Sequence, residues 1–451
     1  MTRHGKRNPL MYAAFLIFCC APAPAQTPYP LPDLSSRRLM NDFQITVATG
    51  STMGETMTIG LALRYGAAFD PADKGGLAHL LSRMFMKATL DQTAKSIQDE
   101  LDYLGATVEV GCDWDGFRFI LRGKSSKYER SLLLLYQIVG EAQFNEADFV
   151  AVKQAMLEGL QKPEDPRQRI LGQFENDLFA GTTYGRPLQG TRRSLAAVTL
   201  GDVRAFYKKY FSPNQAFLFV AGGVPVNQVL QKASRIWGVW VRQDEIPFTF
   251  KTPRNPAGRR ILVEDDPNSP AAQFVIGCLF PRREDLEYLP ALVAAHILQE
   301  RLTKVLPTSL LTVGSRGRRM ASPFYIQGQA AAEQAVDQIR KIQDVVAELR
   351  ESPVSAEELA PVHNRLVEEF KLELGTTDGL CEIMLDAELY HLGSNYAPNF
   401  ESLIRRCDAE TVKRAAQNWL LPGGEVILIR GPAAILKPPI ESLGTFQPLV
   451  P

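Results

Sequence analysis

The sequence predicts an α+β protein made of two homologous domains, each an antiparallel sheet packed against several helices. Three observations carry this. The chain has 451 residues, too many for one ordinary domain and suited to two or three. Strand-like and helix-like segments alternate along it. The third is an internal echo: VRAFYKKYFSPNQAFLFVAGG from Val203 lies over VKRAAQNWLLPGGEVILIRGP from Val412. Each copy is a helix ending in an aromatic (Tyr210, Trp419), then a proline (Pro213, Pro422), then a strand closing on glycine (Gly222, Gly431), all at one sequence offset. Upstream, MLEGL at Met156 resembles LVEEF at Leu366. The repeating unit is therefore roughly two hundred residues long, an ordinary domain size.

Taken in order, residues 1–25 read as a cleaved secretory signal. Arg3, Lys6 and Arg7 form a basic start, LMYAAFLIFCC a short apolar run, and Ala23-Pro24-Ala25 supplies small residues for cleavage before Gln26. The run is too short to span a bilayer. Phe18 is bulkier than the residue that usually precedes a lipid-modified cysteine, which disfavours Cys19 as an anchor. The expected destination is across the inner membrane, in the periplasm, with no transmembrane segment in the mature chain. Residues 26–38, including TPYPLPD, read as an extended linker. In the first domain, residues 39–242, FQITVATG and TMTIGLALRYG read as strands and GGLAHLLSRMFMKA as a helix. ATVEVGCDWDGFRFILRG follows as a hairpin, then SSKYERSLLLLYQIVGEA and EADFVAVKQAMLEGLQK as amphipathic helices. Residues 243–259, rich in proline and mixed charge, join it to the second domain, 260–438, and 439–451 form a tail.

Apolar residues make up 45% and charged residues 22%, a globular composition. Lys+Arg and Asp+Glu each number 50, so no global charge draws the chain to nucleic acid. The signal holds three bases and no acids, which leaves 47 against 50 in the mature chain. Beyond the signal, Cys112, Cys278, Cys381 and Cys407 are scattered singly, without a Cys-x-x-Cys pair. Spacing assigns no disulfide among them, and buried free thiols are the favoured reading.

Three stretches carry a family resemblance: KGGLAHLLSRMFMKAT, YGRPLQGTRRSLAAVTLGDVRAFYKKYFSPNQAFLFVAGG, and ILVEDDPNSPAAQFVIGCLFPRREDLEYLPALVAAHIL. In order and spacing the chain resembles the pitrilysin/insulinase family, which includes the mitochondrial processing peptidases. The resemblance implies the LuxS/processing-peptidase-like metallopeptidase fold and half of a clamshell. Active members carry His-x-x-Glu-His on the first helix, an inverted zincin motif, and a later glutamate as third ligand. Carried onto this sequence, the first histidine is His79, the glutamate base becomes Ser82, the second histidine Arg83, and the distal glutamate Gly159. Glu158 points about 100° away from that position on a helix. One imidazole is too few for zinc, which usually takes three protein ligands. Arg83 sets a fixed positive charge where a cation would sit, and Ser82 lacks a pKa for general-base work near neutrality. Catalytic residues are therefore expected to be absent, with zinc not bound and His79, Arg83 and Gly159 vestigial. The plain reading has His79 bonded to Glu158 or backbone and Arg83 paired with Glu158 or another acid. His296, His363 and His391 are expected in amphipathic helices without partners at ligand spacing.

In two-chain members of the family, the helper chain supplies an arginine and a tyrosine seven residues apart. Here LTKVLPTSLLTVG puts Val305 and Thr312 at those positions, and LQERL replaces the glycine-rich loop before them. Arg316, Arg318, Arg319 and Tyr325 stand nearby should the register differ, with a solvated basic loop as the favoured reading. Three functions follow in order of preference. The first is a secreted, inactive homologue forming a hetero-oligomer with an active zinc metallopeptidase of the same family, peptides entering the shared chamber. The second is a peptide-binding or scaffold protein without proteolytic assembly, and the third a peptidase with an altered site. A partner chain with an intact motif favours the first; bound metal favours the third.

Overall fold

A computed structural model describes residues 32–50, 53–162, 165–307, 309–444 and 446–448. The signal segment, 1–25, lies outside them, as do residues 26–31 of the linker.

The first half runs β1 (Asp33–Arg38), β2 (Gln44–Thr49), β3 (Thr56–Leu63), α1 (Leu77–Met84), α2 (Ala94–Leu104), β4 (Thr107–Cys112), β5 (Phe117–Lys124), α3 (Tyr128–Gly140), α4 (Glu146–Gly159), α5 (Pro166–Leu178), α6 (Arg192–Ala197), α7 (Leu200–Tyr210), β6 (Ala216–Gly222) and α8 (Val226–Trp237). The second runs β7 (Arg260–Asp265), β8 (Ala271–Phe280), α9 (Tyr288–Val305), β9 (Thr312–Ser315), β10 (Ser322–Ala331), α10 (Ala335–Glu351), α11 (Ala356–Leu374), α12 (Thr377–Leu389), α13 (Tyr396–Arg405), α14 (Ala409–Trp419), β11 (Val426–Gly431), α15 (Ala433–Ile440) and β12 (Phe446–Pro448).

Among the described residues each half holds one six-stranded sheet, ordered β1-β2-β6-β3-β5-β4 and β12-β7-β11-β8-β10-β9. The echo between Val203 and Val412 becomes α7–β6 over α14–β11. Both sheets are mainly antiparallel, but β2·β6 and β7·β11 run parallel, as does the edge pair β12·β7. Two segments depart from the sequence reading. Residues 33–38, read as linker, form the edge strand β1 paired with β2, and residues 446–448 of the tail pair with β7. Helix α15 likewise carries two residues into the tail. DLSSRR reads as linker because an outermost strand is mostly solvated and shows no apolar alternation.

Side chains alternate across each sheet. In the first, Ile45, Ile59, Leu61, Phe119, Leu218 and Val220 face one way and join Phe85, Leu135 and Trp237 in a core beneath the half's own helices. The alternate residues Ala62, Ile120, Phe217, Phe219 and Ala221 face the other way, and what covers them is α12, through Leu380, Cys381, Leu385 and Leu389. The second half returns the arrangement: Leu262, Val275, Leu279, Val426 and Leu428 are covered by Ile170, Phe174 and Leu178 of α5. Each half thus lends one helix to the other's sheet. Burying each large apolar side chain contributes about 1.5–3 kcal/mol. Polar anchors fix the position of α12: Arg118 of β5 binds Asp386 at 2.7 Å and Glu382 at 3.0 Å, and Arg122 binds Asp378 at 2.7 Å. Glycines permit the approach. A Cβ on Gly60 of β3 would lie 2.3 Å from Cys381 Sγ, and one on Gly277 of β8 2.5 Å from Phe174 Cζ.

Residues 243–259 hold no regular element and are bonded to both halves. The Ile246 amide donates to Tyr65 Oη at 2.9 Å, Phe248 stacks on Tyr65, and Asn255 Oδ1 accepts from the Leu279 amide at 2.8 Å. No helix among the described residues is long and apolar enough to cross a membrane.

Candidate functional site

Helix α1 is short, and its start is held from outside. Gly76 offers no capping side chain, so Asp70 takes the role: Oδ2 accepts from the Gly76 amide at 2.8 Å and Oδ1 from Ala78 at 2.9 Å. Burial outweighs these bonds and pushes the Asp70 carboxyl up to about 7. Leu77, Leu80, Leu81 and Met84 anchor the helix in the core. His79 and Arg83, four residues apart, then share the face turned to α4 and the edge strand β4. The cleft between these elements encloses about 590 Å³ and is lined by His79, Ser82, Arg83, Lys87 and residues of β4 and α4.

Within it the sequence-derived positions behave as follows. Arg83 Nε donates to His79 Nε2 at 3.3 Å. With Nε2 accepting, the neutral ring carries its proton on Nδ1, which is buried without a partner. Burial, then the Arg83 charge, push the His79 imidazolium down to about 4. Ser82 is buried and donates to the His79 carbonyl at 2.7 Å, turned into its own helix. Glu158 pairs with neither His79 nor Arg83: it is exposed and accepts from Gln154 at 2.9 Å. Gly159 closes α4, is exposed and does not line the cleft, whereas Ala151, Val152, Ala155 and Met156 do. Ala151 and Ala155 were missed in the sequence; the four-residue helical step back from Gly159 is the signal that points to them.

This donor set does not fit zinc. The one imidazole has a guanidinium on its Nε2 and a buried proton on Nδ1, and α4 presents methyl groups. Among the described residues no three His, Cys, Asp or Glu side chains gather in a group able to hold a metal ion. His363 is buried in α11 against the Cys407 carbonyl, His296 is half-buried in α9, and His391 lies just past α12 at φ +55°, outside the helix expected for it. The four cysteines are free, with Cys112 half-buried and the others buried.

The second-domain candidates lie elsewhere. Val305 ends α9, half exposed, and Thr312 starts the edge strand β9, exposed. The stretch at 316–319 is not the solvated basic loop expected. Arg316 is exposed, but Arg318 is 2% exposed and pairs with Glu175 of α5 at 2.5 Å, its guanidinium 4.2 Å over Trp114. The Arg319 amide donates to Asp115 at 3.1 Å and its guanidinium to the Arg64 carbonyl at 2.9 Å. Tyr325, on β10, is half-buried. These residues stitch the halves together. A second cleft of about 600 Å³ opens beside them, between the halves, and meets the first at Cys112.

Comparison with known proteins agrees with this architecture. Residues 46–192 match the family described as Insulinase (Peptidase family M16), and residues 197–366 match the Peptidase M16 inactive domain. An uncharacterized zinc protease of Rickettsia felis is 23% identical over 184 residues, 41% of this chain and 45% of that protein. The chain thus spans about half the length of the Rickettsia relatives it matches, that of Rickettsia bellii at 47%. The mouse mitochondrial-processing peptidase subunit beta is 22% identical over 431 residues, 89% of this chain and 84% of that protein. Among solved structures, a protease from Helicobacter pylori superimposes with TM-score 0.83 at 17% identity, covering 89% of this chain and all of that one. A peptidase M16 inactive domain from Pseudomonas fluorescens does so with TM-score 0.81 at 20% identity, covering 89% and 98%. Two family matches in tandem, together spanning more than half of the chain, leave one assignment: the chain belongs to the pitrilysin/insulinase family of M16 peptidases.

Proposed function

We propose that this chain is a catalytically inactive member of its family that serves as the non-catalytic subunit beside an active zinc metallopeptidase, in the periplasm. One observation carries the reading: the Arg83 guanidinium sits on His79 Nε2, in the space where the family's second zinc ligand belongs. Ser82, bonded into its own helix, leaves no general base, and Ala151 and Ala155 leave no third ligand. The framework is nevertheless kept in both halves, and pairing is a use of it that requires no metal. A stable pair buries well above roughly 1,000 Å². The basic and apolar start of residues 1–25 supports export.

The test mixes the purified chain with an active family member from the same cell and measures mass and peptidase rate together. A complex that changes the partner's rate or specificity is expected. Absence of both overturns the pairing and leaves a peptide-binding or scaffold protein, a reading favoured by the two adjoining clefts. Elemental analysis finding about one zinc per chain, lost in H79A, overturns the inactive reading itself.

A further inference from the structure

The α1 cleft has a one-sided charge. Its lining includes Arg83 and Lys87 but no Asp or Glu. Among the described residues neither cation lies within ion-pair distance of a carboxylate, in contrast to Arg118, Arg122, Arg301, Arg318 and Arg365, which are so paired. Arg83 makes one side-chain hydrogen bond, from Nε to His79. That contact uses the side of the guanidinium, orients its plane and leaves the Nη1/Nη2 edge unbonded, the edge that grips a carboxylate with two parallel bonds. Ala151 and Ala155 keep the opposite wall short, so the space above the guanidinium is open. The third wall belongs to β4, the last strand of its sheet, whose outer backbone groups have no strand partner among the described residues. An anion that arrives on a polypeptide therefore finds backbone partners beside the charge, which a free inorganic ion does not use.

We propose that this cleft binds a carboxylate carried on a peptide chain, received by Arg83 and Lys87. The inference rests on the reading that no metal occupies the α1 site, and it is independent of pairing with a second chain. The site is partly open to water, so the binding is sensitive to salt.

The experiment uses the purified chain and a short fluorescent peptide of Gly, Ser and Asn with one central Glu and an amidated end, against the same peptide with Gln. Anisotropy at low salt is expected to show the Glu peptide binding about tenfold tighter, the preference shrinking at high salt. R83Q is expected to abolish the preference and K87Q to weaken it, while R83K retains part of it. Arg83 is exposed and holds no core contact, so these variants keep the fold. A Gln peptide with a free C-terminus that binds as tightly as the Glu peptide identifies the chain end as the carboxylate and supports the proposal. Equal binding of the two amidated peptides overturns it, as does a preference that survives in R83Q or displacement by phosphate far more readily than by acetate. Zinc analysis of the same sample separates the failures: a zinc-free chain without the preference sinks this inference alone, and stoichiometric zinc sinks both readings.

Discussion

Removing the negative end of the Arg318–Glu175 pair should cost more than any surface change in this protein. The pair joins α5 of the first half to the segment before β10 of the second, with side chains 3% and 11% exposed. Arg318 already has one guanidinium nitrogen, Nη1, without a hydrogen-bond partner. In Glu175→Leu the cation stays buried with no anion, which costs about 3–5 kcal/mol. Its position over Trp114 offsets less than about 1 kcal/mol of that, because the cation–π attraction is already present in the wild type and only its modest strengthening when the anion leaves counts. The double variant Glu175→Leu/Arg318→Met replaces both charges by apolar groups and should be more stable than either single variant, since a buried pair exchanged as a whole is often nearly neutral. Urea unfolding followed by tryptophan fluorescence reads all four corners of the cycle. Trp114, beside Arg318, and Trp237, in the first core, should report one shared shift because the pair sits between the halves. Single variants within about 0.5 kcal/mol of wild type, or additive effects in the double, would refute the claim that this contact is dry and coupled.

Other expectations follow from the same geometry. Restoring Ser82→Glu and Arg83→His should not yield a peptidase, because Ala151, Ala155 and Gly159 supply no third ligand; chelator-sensitive cleavage of an unstructured peptide would show that assignment to be wrong. Gly60→Ala drives a Cβ into Cys381 Sγ and Leu385 and should destabilise by about 1–3 kcal/mol, part of which Cys381→Ala should restore in thermal melts. Asp70 holds its proton in the folded state up to about 7, whereas an unfolded aspartate releases it near pH 4. The folded chain therefore binds the extra proton between those values, and Asp70's contribution to stability falls as pH rises across that window. Asp70→Asn should flatten that slope, so melting temperatures compared at about pH 5 and about pH 8 should differ less in the variant; an unchanged slope would exclude Asp70 as its source.

The duplication was legible because Val203 and Val412 begin segments whose aromatic, proline and glycine keep one offset, and local periodicity suffices to see them. The change at Ser82 and Arg83 was legible for the same reason, since a helical face is a local property. What the sequence hid depends on distant partners. Arg318 reads as solvated until Glu175 and Trp114 arrive from the other half. Nothing local to Leu380 and Leu385 marks the neighbouring half's sheet as the surface they cover. Edge strand β1 escaped because its residues carry no apolar pattern, and which residues of α4 face the cleft depends on how that helix packs on α1.

The reciprocal loan of α5 and α12 has a mechanical consequence. A cut anywhere in 243–259 would leave two fragments that still grip each other, each carrying the lid of its neighbour's sheet, and neither would be soluble by itself with that sheet face bare. Opening between the halves would therefore require stripping both helices from the sheets they cover at once. Separating the halves is in this sense a partial unfolding event, since each sheet would lose its cover as the other does.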